Sequence, residues 1–366
     1  MIKIYDKYIF KQVLLTTFVA ILLFTVVWIA PEMLLNTIKK TLAGSYTVKM
    51  AVLVILYELP KILGKALPVG LLLGTIFTFD KLSKDSELTI FRAVGMSFSR
   101  IIAPVIVLSV IVTVFCFIVY DRLIPYACAQ NERIHGGADA IQYIYTQKDE
   151  HDFPQKTIIV SRFSRDKMKN VIVLDFSSKV YRDLHGLNRI MVANAGRYIN
   201  KKWLLSDIKV FNMYNDEMFE SIESIDEMPI LDGDEGEEAY ILLTYSTKRD
   251  REITNKDLRH YISLLKKNQL EEEYRFMLNK YYQRFLHPCV CILFAIMGCL
   301  LGFSKPREQR LIGFTIAIGC IFLYYITLPF FDLLAEKNVL PPLITAAFPP
   351  IAFLCCIIGF YKTKEL

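Results

Sequence analysis

Charged residues divide the apolar sequence into segments of nearly constant length. The chain runs without Asp, Glu, Lys or Arg from residues 12 to 31, 101 to 120, 285 to 304, 311 to 331 and 338 to 361, each run 20 to 24 residues long. About 20 apolar residues rising 1.5 Å each cross a hydrocarbon core about 30 Å thick, so each run predicts a membrane-spanning helix. A sixth, from about 61 to 80, is interrupted only by Lys65 after its opening Lys61. Three lysines precede the first run as in a secretory signal. That run is longer than a signal core, however, and Trp28, Ile29, Ala30, Pro31 and Glu32 offer no small-x-small cleavage site, so an uncleaved span is expected.

From about residue 156 the pattern changes to short β-branched and aromatic runs. Residues 157–160, 171–174, 189–193 and 203–211 read as strands, with Asn200, Lys201 and Lys202 as a hairpin connection. Six or more such strands without an intervening helix predict an all-β sandwich or jelly roll. Residues 216–238 hold eleven acids and no base. They lack the regular ligand alternation and terminal Glu of a calcium loop and read as a solvated loop. From Thr254 a capped amphipathic helix, with Leu258, Tyr261, Ile262 and Leu265 at helical spacing, leads into the fourth span. The domain plan is therefore three spans over residues 1–128, a β domain over 129–255, a connecting amphipathic helix over 256–284 and three spans over 285–366.

Composition accounts for this pattern: 54% of the 366 residues are hydrophobic and 22% charged, an apolar excess over ordinary soluble domains. The formal charge of +6 divides unevenly. Residues 129–280 carry 23 Lys and Arg against 26 Asp and Glu, a net −3, while the remainder carries 20 against 11, a net +9. A nucleic-acid footprint would put its positive charge on the water-exposed domain, so that partner is excluded. Counting Lys and Arg near span ends puts Lys3, Lys7, Lys11, Lys81, Lys84, Arg92, Arg100, Lys305, Arg307, Arg310, Lys362 and Lys364 on one side. The positive-inside rule makes that side cytoplasmic, with both termini, and puts the middle domain outside. The eight cysteines all lie at or within spans, so the outer domain is expected to fold without disulfides.

Catalytic motifs are missing. There is no Gly-x-x-x-x-Gly-Lys-Ser/Thr phosphate loop, no Gly-x-Ser-x-Gly, and none of the five histidines belongs to a His-Glu-x-x-His pair. His287, beside Pro288, reads as an interfacial polar cap. Two features carry functional expectations. Between spans two and three, Asp85 or Ser86 can cap a short helix with Leu88, Phe91 and Val94 on one face, Glu87 and Arg92 towards water, and Gly95 as its stop. It is either a lever for a cytoplasmic partner or a plain connecting turn. The second feature is a set of cations at the outer ends of spans: Lys39 and Lys40, Lys61 and Lys65 one turn apart, Arg122 and Arg284. They either snorkel or meet the phosphates of an anionic lipid.

Several segments together point to a family. Pro60 and Lys61, Leu67 and Pro68 through Gly70 to Gly74, Ser86 to Leu88 and Ala93 to Gly95 resemble the second span and following loop of lipopolysaccharide-export permeases of the LptF/LptG type. Asp257 to Ile262 with Leu265, Tyr282 to Pro288 and Gly298 to Gly302 resemble that family's return into the fourth span. The resemblance implies a non-catalytic ABC-transporter permease of the inner membrane, with ATP and Mg bound on a partner and no cofactor of its own. It implies a second permease subunit, a cytoplasmic ATPase dimer, a periplasmic bridge of jelly rolls and a membrane-anchored accessory subunit. Asp85, Ser86, Glu87 and Arg92 would contact the ATPase, Leu88 and Phe91 would pack into its groove, and the family's basic residues at the outer ends of spans one and two would correspond to Lys39 or Lys40 and to Lys61. The acids of 216–238 match no motif of the family.

Two other classes compete. An ion-coupled secondary transporter could be built from two three-span repeats, but the predicted spans carry no Asp or Glu, and Pro341, Pro342, Pro349 and Pro350 have no counterparts in the first half. A structural or sensory membrane protein would bind a partner through its outer domain.

Overall fold

A computed structural model describes residues 4–29, 33–44, 46–134, 143–148, 154–164, 167–176, 189–214, 218–246, 248–303 and 310–363. The chain forms two units, Met1–Asn131 with Glu272–Leu366, and Glu132–Glu271. The first unit contains α1 (Ile4–Ile29), α2 (Met33–Leu42), α3 (Val48–Lys84), α4 (Glu87–Ala93) and α5 (Phe98–Ile118), which continues through a π turn into α6 (Ile124–Ile134). After the second unit come α9 (Glu271–Gly302), α10 (Arg310–Glu336) and α11 (Pro342–Thr363). Among the described residues six helices are long and apolar enough to cross a membrane: α1, α3, α5 with its continuation, α9, α10 and α11.

The second span is longer than its uncharged core. α3 has 37 residues and begins 13 before Lys61, with Thr47 capping it by accepting from the Met50 N–H. Lys49 and Glu58 lie in this added part and break the apolar pattern that marks the rest.

Close backbone contact centres the unit on α3. In its most apolar window 78% of residues are buried, against 67% for α9, 22% for α1 and 17% for α10. Gly70 and Gly74 are one turn apart, and a Cβ at Gly74 would stand 2.5 Å from the Thr17 Cα of α1. Gly298 and Gly302 repeat the spacing on α9: a Cβ at Gly298 would stand 2.7 Å from the Leu72 carbonyl oxygen and collide with Thr75 Oγ1, and one at Gly302 would stand 2.7 Å from the Ile76 carbonyl oxygen. Lipid gives no hydrophobic drive for helices to associate, so small residues that let backbones approach, with hydrogen bonds between helices, hold such bundles together. Here the bonds are Thr16 Oγ1 to the Gly74 carbonyl at 3.0 Å, Thr16 to Thr78 at 2.6 Å, and Ser83 Oγ to the Gly302 carbonyl at 3.2 Å.

The second unit carries β1 (Tyr143–Lys148), β2 (Pro154–Ser164), β3 (Lys167–Asp175), β4 (Arg189–Ile199), β5 (Lys202–Tyr214) and β6 (Met218–Leu231), then α7 (Gly233–Ser246) and α8 (Asn255–Lys267). The strands form one antiparallel sheet in sequence order. Antiparallel strands inserted between spans three and four are as expected; among the described residues they make one sheet rather than two facing ones. Asn200 and Lys201 take φ of 50° and 63° in the β4–β5 turn, the left-handed pair that matches strand twist in a two-residue hairpin. In β3, Val171 and Val173 are buried and alternate with half-buried Ile172 and Leu174, so one face carries the core.

From Met218 onward the acidic tract is not a loop, residues 216 and 217 lying outside the described residues. Residues 218–231 pair with β5, and 233–246 form α7. At the start of α7, Asp234 and Glu235 occupy the turn where a helix favours negative charge. The neighbouring acids meet lysines: Lys201 lies 2.5 Å from Glu237, Lys202 2.8 Å from Asp232, and Lys267 pairs with Glu238. The hydrogen bond from Lys202 holds the Asp232 carboxyl below its usual range, and the bond that Lys201 donates to Glu237 raises the Lys201 ammonium. These pairs are exposed and contribute little stability singly; α7 is held on the hairpin by Trp203 Nε1 donating to the Gly236 carbonyl at 2.7 Å and by Tyr240 stacked on Tyr198.

The amphipathic segment after Thr254 is two helices. Thr254 caps α8 by accepting from the Asp257 N–H, and Leu258, Tyr261, Ile262 and Leu265 are buried. Asn268 ends α8, Gln269 takes φ of 56°, and α9 starts at Glu271.

Replacing Gly298 by Ala is expected to cost about 1 to 3 kcal/mol by overpacking against Thr75 and the α3 backbone. Gly319→Ala, with nothing within 4 Å of the added carbon, serves as the control and should be neutral or slightly stabilising. Thermal unfolding of the two variants in detergent compares them, and equal midpoints would contradict a bundle set by glycine contacts.

Candidate functional site

α4 joins two spans at the end where α3 finishes. Asp85 caps the C-terminus of α3, its N–H donating to the Lys81 carbonyl at 2.9 Å. Ser86 stands in the left-handed region at φ 60°, and its side chain makes no capping bond. The expected cap by Asp85 or Ser86 is therefore absent: the reversal between two helices takes the backbone out of the extended geometry from which a side chain reaches the first turn. The stop at Gly95 is as read. Gly95, at φ 84°, donates to the Arg92 carbonyl and Met96 donates to the Phe91 carbonyl, which together form a Schellman motif.

The apolar face of α4 turns inward. Leu88 is 2% exposed within the core of the first unit, and Phe91 is half-buried against it. A short amphipathic helix has one apolar face, and the bundle takes up Leu88 and one side of Phe91 on it. Ile90 and Val94, 58% and 77% exposed, are the apolar residues left facing out, beside exposed Asp85, Ser86 and Arg92. Glu87 is half-buried and its Oε1 accepts from the Tyr8 hydroxyl of α1 at 3.0 Å. Arg92 lies over the Phe303 ring at 5.7 Å.

The six cations are distributed over four elements. Lys39 and Lys40 end α2, where Lys40 Nζ lies 3.3 Å from the Tyr46 hydroxyl and over its ring. Lys61 and Lys65 stand one turn apart on α3. Lys61 pairs with Glu58 at 3.0 Å, and the same Glu58 oxygen accepts from Asn131 at 2.9 Å. The Lys65 carbonyl accepts from the Tyr325 hydroxyl at 3.2 Å. Arg122 is exposed in the π turn, whereas Arg284 is 6% exposed within α9. Burial separates Arg284 from the other five, of which Lys39, Lys40 and Arg122 are exposed and Lys61 and Lys65 half-buried.

Charge-free runs could not reveal Asp332, which sits just past the run of 311–331. It is 9% exposed on α10 and gathers donors from α9: Asn279 Nδ2 at 2.8 Å, Gln283 Nε2 at 2.7 Å and Lys280 Nζ. Thr345 of α11 donates to Asn279 Oδ1 at 3.0 Å, so the cluster ties the last three spans together. The available signal was the trio of polar residues at 279, 280 and 283, on one helical face of a segment read as a mere connection. His287 is also inside the bundle rather than capping it, with Nδ1 3.1 Å from the Tyr324 hydroxyl and its ring edge-on to Tyr120.

Comparison with known proteins covers the whole arrangement. The profile of the family described as lipopolysaccharide export system permease LptF/LptG matches residues 7–363. The chain is similar to the lipopolysaccharide export system permease protein LptG of Haemophilus influenzae, 24% identical over 381 residues that span all of both chains.

The Asp332 cluster makes a quantitative demand of its own. Asp332→Ala leaves the largely buried Lys280 without its anion, and breaking such a pair costs about 3 to 5 kcal/mol. The double variant Asp332→Ala/Lys280→Met should recover most of the loss in a thermal melt. An unchanged single-variant midpoint would show that water already solvates the site.

Proposed function

The chain belongs to the lipopolysaccharide export system permease LptF/LptG family, and on that premise we propose that it is the membrane subunit through which an ABC transporter lifts lipopolysaccharide from the outer leaflet of the inner membrane. The match over nearly the full length carries the reading, because it includes the spans, the inserted sheet and the short helix between spans two and three. The chain is a permease component and a multi-pass membrane protein; ATP hydrolysis falls to a cytoplasmic ATPase dimer. A second permease of the same family faces it across the lipid cavity. Both termini and α4 lie in the cytoplasm, as the Lys and Arg distribution supports. The sheet unit is periplasmic and, as a jelly-roll-like module, passes lipid to a bridge of similar modules, with a membrane-anchored accessory subunit beside it.

In this reading ATP binding draws the ATPases together, α4 carries the displacement to the spans, and the cavity narrows and expels its lipid. An equilibrium between open and closed forms shifts only through contacts that differ between them, so the outward face of α4 must meet the ATPase differently in each. Asp85, Ser86, Glu87 and Arg92 supply polar contacts, and Ile90 and Val94 the apolar ones that Leu88 and Phe91 do not. At the other end Lys39, Lys40, Lys61, Lys65 and Arg122 offer charge-assisted hydrogen bonds to lipid phosphates. Glu58 keeps the Lys61 ammonium desolvated in part until phosphate competes for it.

Two measurements check this. Glu87→Lys reverses the charge on α4 while leaving the glycine contacts untouched, so the purified complex should lose ATPase and ATP-driven transport but keep its unfolding midpoint; full transport and full complex formation would sink the proposed contact. Lys40→Gln/Lys61→Gln/Lys65→Gln should lower the lipopolysaccharide retained on purification severalfold, more at low salt where attraction is least screened. Equal retention would leave these lysines as snorkelling residues.

A further inference from the structure

The side chains around α4 show where its displacement goes. α4 has seven residues between two left-handed positions, Ser86 and Gly95. Leu88 holds it against the bundle, and two aromatic residues on the first turns of α1 hold its flank: the Tyr8 hydroxyl donates to Glu87 at 3.0 Å, and the Tyr5 ring lies 6.2 Å from that of Phe91. The start of α5 closes the circuit. Arg100 bonds Asp6 at 3.0 Å and places its guanidinium 5.3 Å from the centre of the Tyr5 ring.

We propose that Tyr5 and Tyr8 form a clasp that delivers the movement of α4 to the first span, with Tyr8 a positioning residue acting through Glu87; this rests on the permease function proposed above. The same helix offers a fulcrum. α1 meets α3 in backbone contact at Thr17 and Ile21, opposite Gly74 and Gly70. Tyr8 lies nine residues from Thr17, about 14 Å along the helix at 1.5 Å per residue. A push at Tyr8 therefore acts on a lever pinned near its middle, and the far arm carries the end of the span and α2 with Lys39 and Lys40. α3 is a poor lever, since its most apolar window is 78% buried between two glycine contacts; α1, at 22%, is less enclosed by this chain's own helices. The drive thus enters through α1 while α3 stays as the post.

The test uses Tyr8→Phe and Tyr5→Leu/Tyr8→Phe in the full chain, purified with the ATPase and second permease and reconstituted in vesicles containing lipopolysaccharide. Both variants should retain as much ATPase as the unmodified chain, because Glu87 keeps its charge and both tyrosines lie on α1, apart from the face of α4 that carries Ile90 and Val94. Lipid released per ATP hydrolysed should fall about threefold to tenfold for Tyr8→Phe, the scale of one lost, partly exposed hydrogen bond, and further for the double variant. A ratio equal to that of the unmodified chain in both variants overturns the clasp, as does a lowered unfolding midpoint with the ratio unchanged, which marks a merely structural contact. Absence of ATPase from the unmodified complex is a different failure: it contradicts the permease function itself, and the clasp with it.

Discussion

Contact between helix backbones at four glycines is the constraint from which the membrane unit follows. Gly70 and Gly74 bring α1 onto α3, and Gly298 and Gly302 bring α9 onto α3 from a different helix. Since lipid tails are as apolar as the side chains, no burial of leucines would choose this arrangement over another; short backbone distances and the threonine and serine bonds they permit do. The buried share of each helix then follows. α3 and α9 are enclosed, α1 and α10 keep most of their apolar surface outward, and α4 is suspended from the end of the enclosed helix.

Charge is placed according to what surrounds it. Inside the bundle, Asp332 is surrounded by Asn279, Lys280 and Gln283, so its negative charge is paired and hydrogen-bonded as a low-dielectric site requires. In the sheet unit, where water screens, acids line a strand at the end of the described sheet order and the first turn of α7, and lysines of the hairpin and of α8 balance them. Charged residues on such a terminal strand also discourage unwanted strand pairing. The +9 of the membrane part includes Lys39, Lys40, Lys61, Lys65 and Arg122, for which phosphate is the proposed partner.

Much of this was legible from residue order because a membrane imposes a length. Six apolar runs marked six helices, Thr254 and Gly95 marked a start and a stop, and Asn200 with Lys201 marked a two-residue hairpin. What escaped has physical reasons. The first 13 residues of α3 carry Lys49 and Glu58, so a helix that outlasts its apolar run leaves no hydropathy signal. β6 was hidden by its acids, because an edge strand needs only one ladder of hydrogen bonds and can present charge to water. The amphipathy of α4 was plain, yet which partner its apolar face meets is a tertiary fact: Leu88 and Phe91 belong to the bundle, and Ile90 and Val94 remain outside. Asp332 stood one residue beyond a charge-free run, and its donors lay 49 to 53 residues away on another helix.

A post of close-packed helices, a short helix held against the start of the first span, and lysines on α2 and in the first half of α3 are the features on which the proposed movement of an anionic lipid rests. The direct measurement is release of lipopolysaccharide from vesicles in which the chain is reconstituted with its permease partner, the ATPase and the acceptor bridge. The account predicts release that requires both ATP and this chain. Release at the same rate without ATP, or with the chain omitted, would contradict it.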